Sequence, residues 1–392
     1  MKDKYDVIIV GGGPTGSMAG IEIAKSGYSV CILEKTRDIG YPVRCGEAVG
    51  HSGLLQFMEP KANWIASKIM SIKLVSPKEH EVNIKFNKET GYILNRRVFD
   101  YDLCQMAVDY GAEVYTKAYV KGLIKNNGYI KGVKVDFLDQ SKELSAKIVI
   151  GADGIDSRVG RWAGIRTNVK MKDMESCIQY TVSNIDVDNE QMVMYVGSNF
   201  APGGYLWIFP KGENLANIGV GISGKFSKKK SAKKYLDEFL EKNYPDVSIL
   251  TTVCGGVPCA SPMKDPVSDG LMLAGDAGRQ INPMTGGGII SGMKAGMIAG
   301  QVAGEALKEN DVSKSFLNIY TKRMFKDFGK NYERFYKIKE AVNQLKDSDL
   351  DNIAESVLSV PLEKRTLSTV FKKAVFKKPS LIIDVIKIFS GL

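Results

Sequence analysis

The sequence predicts an α/β (α+β) fold: a Rossmann-like domain assembled from discontinuous segments, an inserted antiparallel sheet, and a helical C-terminal segment. Three observations predict it. Val7-Ile8-Ile9-Val10 is apolar on both faces, as a buried parallel strand must be, and it runs straight into the glycines of Gly11–Gly16. Two later stretches, Ile148-Val149-Ile150-Gly151 and Leu271-Met272-Leu273-Ala274-Gly275, repeat that junction of strand and glycine. Between them Tyr205, Trp207 and Phe209 alternate at period 2, the spacing of a strand with two different faces.

The chain has 392 residues, more than one hydrophobic core usually supports, so two or three domains are expected. Its 44% hydrophobic and 25% charged residues are ordinary for a globular protein. The formal charge is +10, and residues 311–392 carry 16 Lys/Arg against 10 Asp/Glu. The basic residues are dispersed and no basic-aromatic module accompanies them, which argues against nucleic acid. Six cysteines without framework spacing suit a reducing cytosol. With only His51 and His80, neither a metal centre nor a Ser-His-Asp triad is expected. No signal peptide is read at the N-terminus, and no apolar run is long enough to span a bilayer.

The first glycine loop has the full context that its chemistry requires. A strand precedes Gly11-Gly12-Gly13-Pro14-Thr15-Gly16, the segment from Ser17 to Lys25 reads as a helix, and a second strand from Ser29 to Leu33 ends in Glu34. Gly11 makes the tight turn, Gly13 lets a pyrophosphate approach the backbone, and Gly16 permits close packing of helix on strand. The helix start offers N–H groups and a positive dipole end to phosphate. Glu34 can accept the hydrogen bonds of a ribose diol.

A dinucleotide loop alone does not choose between NAD and FAD. Two further segments favour FAD. Ala146–Gly154 is a strand running into a glycine turn, and Gly270–Ala277 is another whose end delivers Asp276, placed to bind a ribityl hydroxyl. Gly286-Gly287-Gly288 then open a helix from Ile289 to Ala306. Its positive end suits the negative charge that reduced flavin carries at N1–C2=O.

These segments together resemble the para-hydroxybenzoate-hydroxylase-type flavoproteins, over roughly residues 1–310. Within that superfamily Pro42–Glu47, Gly91–Arg96 with Phe99-Asp100, the aromatic stretch Gly204–Gly212 and its partner Asn217–Gly221 resemble the geranylgeranyl reductase family, nearly over the full length. Archaeal members of that family hydrogenate the isoprenoid chains of the ether lipid digeranylgeranylglycerophospholipid. The resemblance implies FAD contacts at Thr15, Glu34, Cys45, Gly46, Ala48, Arg96, Val120, Asp276, Gly288 and Ile289. Thr15 stands where the family often has Gly or Ala, and its hydroxyl could add a phosphate hydrogen bond. Tyr205, Trp207 and Phe209 would line an apolar tunnel for the chain, although core packing explains their spacing equally simply.

The expected reaction is hydride transfer from flavin N5 to an isolated alkene, which also needs a proton; Cys45 and Glu47 are the candidate acids. Without a second nucleotide loop, NAD(P)H docking transiently and a reduced protein such as ferredoxin stay open as donors. Alternative readings are an aromatic monooxygenase or halogenase, and a flavin electron-transfer or lipid-carrier module. Near the C-terminus, Leu381, Val385 and Ile388 share a helical face beside the lysine pairs 372–373 and 377–378. That pattern fits either interfacial binding to anionic lipid or a helix capping the tunnel. The expected location is cytoplasmic, with peripheral contact at the inner membrane face as the finer alternative. Expected boundaries are 1–75, 92–165 and 262–310 for the FAD domain, 76–91 and 166–261 for the substrate sheet, and 311–392 for the helical region.

Overall fold

A computed structural model of the chain describes residues 1–86, 90–366, 368–370 and 372–373. The chain divides into two compact units. The first comprises Met1–Val43, Arg96–Val169 and Pro258–Glu333, and the second Arg44–Asn95, Lys170–Val257 and Arg334–Leu392.

The first unit is built on a parallel sheet. Strands run in the order Leu271–Leu273, Gln140–Gly151, Lys4–Val10, Val30–Leu33 and Glu113–Tyr115, each parallel to its neighbour. The central strand is the apolar run of the sequence, with Val7, Ile8 and Ile9 fully buried. Burying each such side chain contributes roughly 1.5–3 kcal/mol, so this strand anchors the sheet. An antiparallel meander of Ala118–Asn126 and Tyr129–Phe137 extends from Gln140–Gly151. Helices Pro14–Lys25 and Ile289–Lys308 lie against one another. Glycines four residues apart on the longer helix allow the close approach. A Cβ at Gly296 would stand 2.0 Å from the Thr15 carbonyl oxygen, and one at Gly300 2.8 Å from that of Ala19.

The second unit contains a seven-stranded sheet in the order Ser248–Pro258, Met174–Ser183, Leu215–Ser223, Ala201–Pro210, Gln191–Gly197, Ser71–Val75 and Glu81–Lys85. From Met174–Ser183 onward neighbours are antiparallel, with one exception. Gln191–Gly197 and Ser71–Val75 pair in parallel, because their connection crosses over rather than turning back. Period 2 sorts the side chains onto two faces. Ile178, Tyr180, Leu206, Ile208, Ile218 and Val220 face the helix Ala232–Asn243 and bury its Leu236, Phe239 and Leu240. That helix starts where the Ser231 hydroxyl accepts the Lys234 N–H at 3.2 Å, a side-chain N-cap. The opposite face carries Tyr205, Trp207 and Phe209. A small antiparallel sheet of Ala48–Gly50, Gly91–Leu94 and Ile65–Ile69 supplies Ile69 and Ile93 to the cluster around Trp207 and Phe209.

Two boundaries differ from the expectation. Residues 44–75 fall in the second unit rather than with the FAD domain, since Ala48–Gly50 and Ile65–Ile69 pair with Gly91–Leu94, and Ser71–Val75 joins the large sheet. The described residues of 311–392 do not form one region. Tyr320, on the helix Lys314–Met324, is fully buried in the first unit and donates to Leu273 O at 3.0 Å, whereas the helix Asp347–Leu358 packs on Val82 and Ile84 of the second. The expected helix across Leu381, Val385 and Ile388 lies outside the described residues, as do Lys377 and Lys378. Among the described residues no helix is long and apolar enough to cross a membrane, and no cluster of three metal-ligating side chains occurs.

Candidate functional site

In the first unit the strand Lys4–Val10 delivers Gly11 with φ +110°, a conformation natural only to glycine. A Cβ there would come within 2.3 Å of the Ala152 carbonyl oxygen. Gly16 is equally constrained, with a Cβ 1.9 Å from Gly11 O. At Gly13 the opposite holds: a Cβ would meet nothing within 4 Å, so this backbone faces open space. The turn is pinned from the second strand by Glu34. Its Oε2 accepts the Gly12 N–H at 2.9 Å and its Oε1 accepts the Thr36 N–H and hydroxyl at 2.8 Å each. Each carboxylate oxygen can accept more than one hydrogen bond, so capacity for a ribose hydroxyl remains. Ala118 N–H donates to Glu34 O at 2.9 Å, which sets Val120 two residues along from the acidic end, its side chain in the core.

Thr15 does not stand alone in the loop. Its Oγ1 lies 2.5 Å from a Cβ position at Gly275 and 2.6 Å from one at Gly292, so the hydroxyl nests against those two glycines. The same turn, Gly275–Gly278, presents Asp276, whose Oδ1 is 3.1 Å from the Cβ position of Gly288. Burial raises the Asp276 carboxyl above its ordinary range, and the Arg96 guanidinium pulls it back down. Arg96 is itself oriented by a bidentate pair with Asp100 on the same helix, at 2.6 and 3.0 Å. Gly286, Gly287 and Gly288 form the turn before the helix Ile289–Lys308. Gly286 has φ +70° and donates its N–H to Asn282 O at 2.9 Å. An open glycine backbone, an acidic strand end and a half-buried aspartate beside a glycine-led helix start fit a bound FAD.

In the second unit Cys45, Gly46, Glu47 and Ala48 form a clamped loop. Glu47 has φ +71° and is 3% exposed. Its Oε2 accepts Lys211 Nζ at 2.5 Å and Asn217 Nδ2 at 2.6 Å. Asn217 is fully buried, and its Oδ1 accepts the Thr181 hydroxyl at 2.8 Å. The Glu47 carbonyl accepts Leu94 N–H at 2.9 Å, and Ala48 opens the strand that pairs with Ile93. A further clamp holds Cys45: Gln179 Nε2 donates to its carbonyl at 3.0 Å, and Trp207 Nε1 donates to Gln179 Oε1 at 3.0 Å. The Cys45 sulfur accepts the Glu47 N–H at 3.2 Å.

The aromatic row lies on one face of its strand, with Tyr205 and Trp207 centroids 5.8 Å apart and Trp207 and Phe209 centroids 6.2 Å apart. Trp207 and Phe209 are buried and Tyr205 is half-buried. Glycine on the neighbouring strand makes the room, since a Cβ at Gly219 would sit 2.3 Å from the Trp207 ring. Gly46 matters in the same way, its Cβ position being 2.9 Å from the Phe209 ring. Lys211, Asn217 and Gln179 are the residues that sequence reasoning passed over. The available signal was chemical: a lysine directly after Pro210 and an asparagine within an otherwise largely apolar strand.

A cradle of this kind on a parallel sheet, joined to a second unit with a large, mainly antiparallel sheet, defines an FAD-dependent oxidoreductase. Residues 173–257 match the family described as the geranylgeranyl reductase catalytic domain, and residues 9–55 match an NAD(P)-binding Rossmann-like domain. The chain is 43% identical to digeranylgeranylglycerophospholipid reductase 1 of Methanococcoides burtonii, covering 96% of this chain and 93% of that one. It is 40% identical to digeranylgeranylglycerophospholipid reductase of Methanocella arvoryzae, covering 98% and 99%. A solved structure of a geranylgeranyl bacteriochlorophyll reductase-like protein from Thermoplasma acidophilum superimposes with a TM-score of 0.92 at 35% identity, covering 98% of this chain and 99% of that one. The chain belongs to the digeranylgeranylglycerophospholipid reductase family. The myxobacterial halogenase CndH shares the fold alone, at a TM-score of 0.71 and 15% identity.

Proposed function

We propose that the protein hydrogenates the C=C bonds of geranylgeranyl chains, with the archaeal membrane lipid precursor digeranylgeranylglycerophospholipid as its substrate. The observation that carries this reading is the near-full-length relationship to reductases of that name, 43% identical over 380 residues. FAD supplies the hydride, from N5 of its reduced form. The chain's own residues bind and exclude water. Gly11, Gly13, Gly16 and Glu34 hold the dinucleotide end, and Asp276, Arg96 and Gly286 to Ile289 hold the flavin end. Trp207, Phe209 and Tyr205 offer apolar and π surface to an isoprenoid chain. The ion pair of Glu47 with Lys211 supports a positioning role for that carboxylate, which keeps Cys45 and Gly46 against the aromatic row.

The reaction needs a reduced electron donor. NAD(P)H or a reduced protein such as ferredoxin would serve, and stopped-flow reduction of the flavin by each distinguishes them. An amphiphilic substrate and the basic residues of 311–392 support peripheral contact with the inner membrane face by a cytoplasmic enzyme; flotation with anionic vesicles tests it. The function itself is tested by anaerobic incubation of the chemically reduced enzyme with digeranylgeranylglycerophospholipid. Mass spectrometry should show a gain of one hydrogen pair per double bond as the flavin reoxidises. An unchanged lipid beside flavin that stays reduced would sink the reading, and dioxygen-dependent attack on an aromatic compound would replace it with the monooxygenase or halogenase alternative.

A further inference from the structure

Lysines are dispersed along most of the chain, with one local concentration in the second unit. Six of the ten residues from Lys225 to Lys234 are lysines, and Lys170 and Lys172 flank Met171 earlier in the same unit. The fold brings these two stretches together. Ser223 Oγ donates to Lys172 O at 3.2 Å, and the Gly224 N–H donates to Met174 O at 2.7 Å. The Cβ position of Gly224 lies 3.0 Å from Met171 Cε, so the methionine tip rests on the turn that leads into Lys225 and Phe226. That turn is tied down by its own backbone before the helix Ala232–Asn243 begins. The Phe226 N–H donates to Ser223 O at 2.8 Å and the Lys229 N–H to Phe226 O at 3.0 Å.

Acidic partners answer only part of this charge. Lys172 pairs with Glu340, Lys230 with Glu238, and Lys233 with Asp237 one helical turn on. Lys170, Lys228, Lys229 and Lys234 are exposed and form no ion pair among the described residues. Lys225 is exposed as well and lies over the Phe226 ring, 5.4 Å from its centroid. Amid these ammonium groups Met171 leaves 60% of its surface in water. The half-exposed Phe226 ring adds apolar surface beside it, 3.3 Å from the Cβ position of Gly203. All of this gathers at one end of the large sheet. Glu175 pairs there with Ser223, and Tyr205, the half-buried member of the aromatic row, pairs with Gly221.

The residue types point to the kind of partner. Every basic residue from Lys170 to Lys234 is a lysine. Lysine offers a mobile, hydrated point charge, whereas arginine offers a fixed planar fork. Interfaces between proteins are enriched in arginine and depleted in lysine. A fluid layer of anionic headgroups asks for no fixed fork, and each lysine near it strengthens binding about fivefold. An apolar side chain set among those lysines can enter the boundary between headgroups and acyl chains. We propose that the Met171 turn and the segment Lys225–Lys234 form the surface by which the protein docks on an anionic lipid bilayer. The lysines hold the headgroup phosphates, and Met171 inserts between them. This deepens the membrane contact of the function proposed above, on which it rests, and assigns that contact to the second unit's sheet end rather than to the basic residues of 311–392.

The test is flotation of the FAD-loaded, full-length protein with vesicles of phosphatidylglycerol and phosphatidylcholine in equal parts, and with vesicles of phosphatidylcholine alone. Wild type should float with the mixed vesicles only, and lose that binding as salt rises from about 0.1 M to about 0.5 M. The combined variant Lys170→Gln, Lys228→Gln, Lys229→Gln and Lys234→Gln should bind about 10²-fold more weakly, at unchanged thermal stability. Met171→Ser should bind about five- to tenfold more weakly at the same net charge. A control carrying Lys121→Gln, Lys125→Gln, Lys134→Gln and Lys142→Gln, on strands of the first unit, loses equal charge and should float like wild type. If the combined variant floats as well as wild type, or the control falls as far, this surface is not the dock. Wild type that ignores the mixed vesicles but is held by an immobilised acidic redox protein through these lysines would overturn the proposal in favour of a protein partner. Flotation needs no turnover, so the two readings fail separately. Patch-dependent flotation of a protein that leaves digeranylgeranylglycerophospholipid unreduced upholds the surface and sinks the functional reading. Reduction of the detergent-dispersed lipid by a protein that never floats sinks the surface alone.

Discussion

Lys211 Nζ meets the Glu47 carboxylate at 2.5 Å with both side chains largely withdrawn from water, 14% and 4% exposed. The pair closes around a residue whose backbone is left-handed, φ +71°, a conformation that costs a non-glycine residue on the order of 1–3 kcal/mol. Such a backbone persists only where its surroundings over-determine it. Here Lys211 and Asn217 hold the side chain, while Leu94 N–H holds the carbonyl. The consequence is a fixed direction for Cys45 and Gly46, immediately upstream.

Removing the lysine should therefore cost far more than a surface ion pair would. Lys211→Met leaves a buried carboxylate without its counter-charge, and we expect destabilisation of about 3–5 kcal/mol. The paired change Glu47→Gln with Lys211→Met should recover part of that loss. Denaturant unfolding of the four proteins of this cycle measures it. A K211M penalty below about 1 kcal/mol, the range of an exposed pair, would mean that the carboxylate is hydrated after all.

The glycine loop separates two kinds of requirement. A Cβ at Gly16 would lie 1.9 Å from Gly11 O, so Gly16→Ala should disrupt the helix start itself and weaken both folding and flavin retention. A Cβ at Gly13 meets nothing within 4 Å, so Gly13→Ala should leave the flavin-free protein as stable as wild type while weakening FAD binding. Thermal unfolding with and without added FAD distinguishes the two. Equal FAD affinity in Gly13→Ala and wild type would show that the dinucleotide does not pass over that backbone.

Gly46→Ala tests the contact between the loop and the aromatic row. The added methyl would sit 2.9 Å from the Phe209 ring, which is buried against Ile69 and Ile93 and cannot swing freely. Overpacking of this kind typically costs about 1–3 kcal/mol. We expect the larger effect on lipid turnover, because the methyl displaces the loop that carries Cys45. Additional truncation of Phe209 to Leu should relieve the strain. If turnover stays impaired while stability returns, the aromatic ring itself contributes to substrate binding.

The sequence disclosed the cradle far better than the clamp, for a physical reason. Gly11 to Glu34 is a local unit whose spacing reports strand, turn, helix and strand in order, and Asp276 is announced by the glycines on either side of it. Glu47 is 164 residues from Lys211 and 170 from Asn217, and those contacts exist only once the sheet is assembled. The aromatic alternation foretold one strand with two faces, but not that Gly219 and Gly221 on the adjacent strand provide the slot for Trp207.

Asp276 carries the last prediction, in which stability and function oppose one another. Burial raises its carboxyl in the folded protein, against the smaller pull of Arg96. Between its ordinary value and this raised one, the folded state holds more protons than the unfolded state. Its contribution to stability therefore falls as pH rises through that interval, and above it the folded protein bears a poorly hydrated charge. Asp276→Asn removes the charge while keeping the shape. The flavin-free variant should match wild type at acid pH and gain on it as pH rises toward neutrality. The same substitution should weaken FAD binding, because the acceptor for the ribityl hydroxyl is lost. Unfolding midpoints of the flavin-free proteins across pH, with flavin retention measured in parallel, test both halves. An Asn variant that is less stable at every pH would show that the carboxylate is already satisfied within the protein before FAD binds.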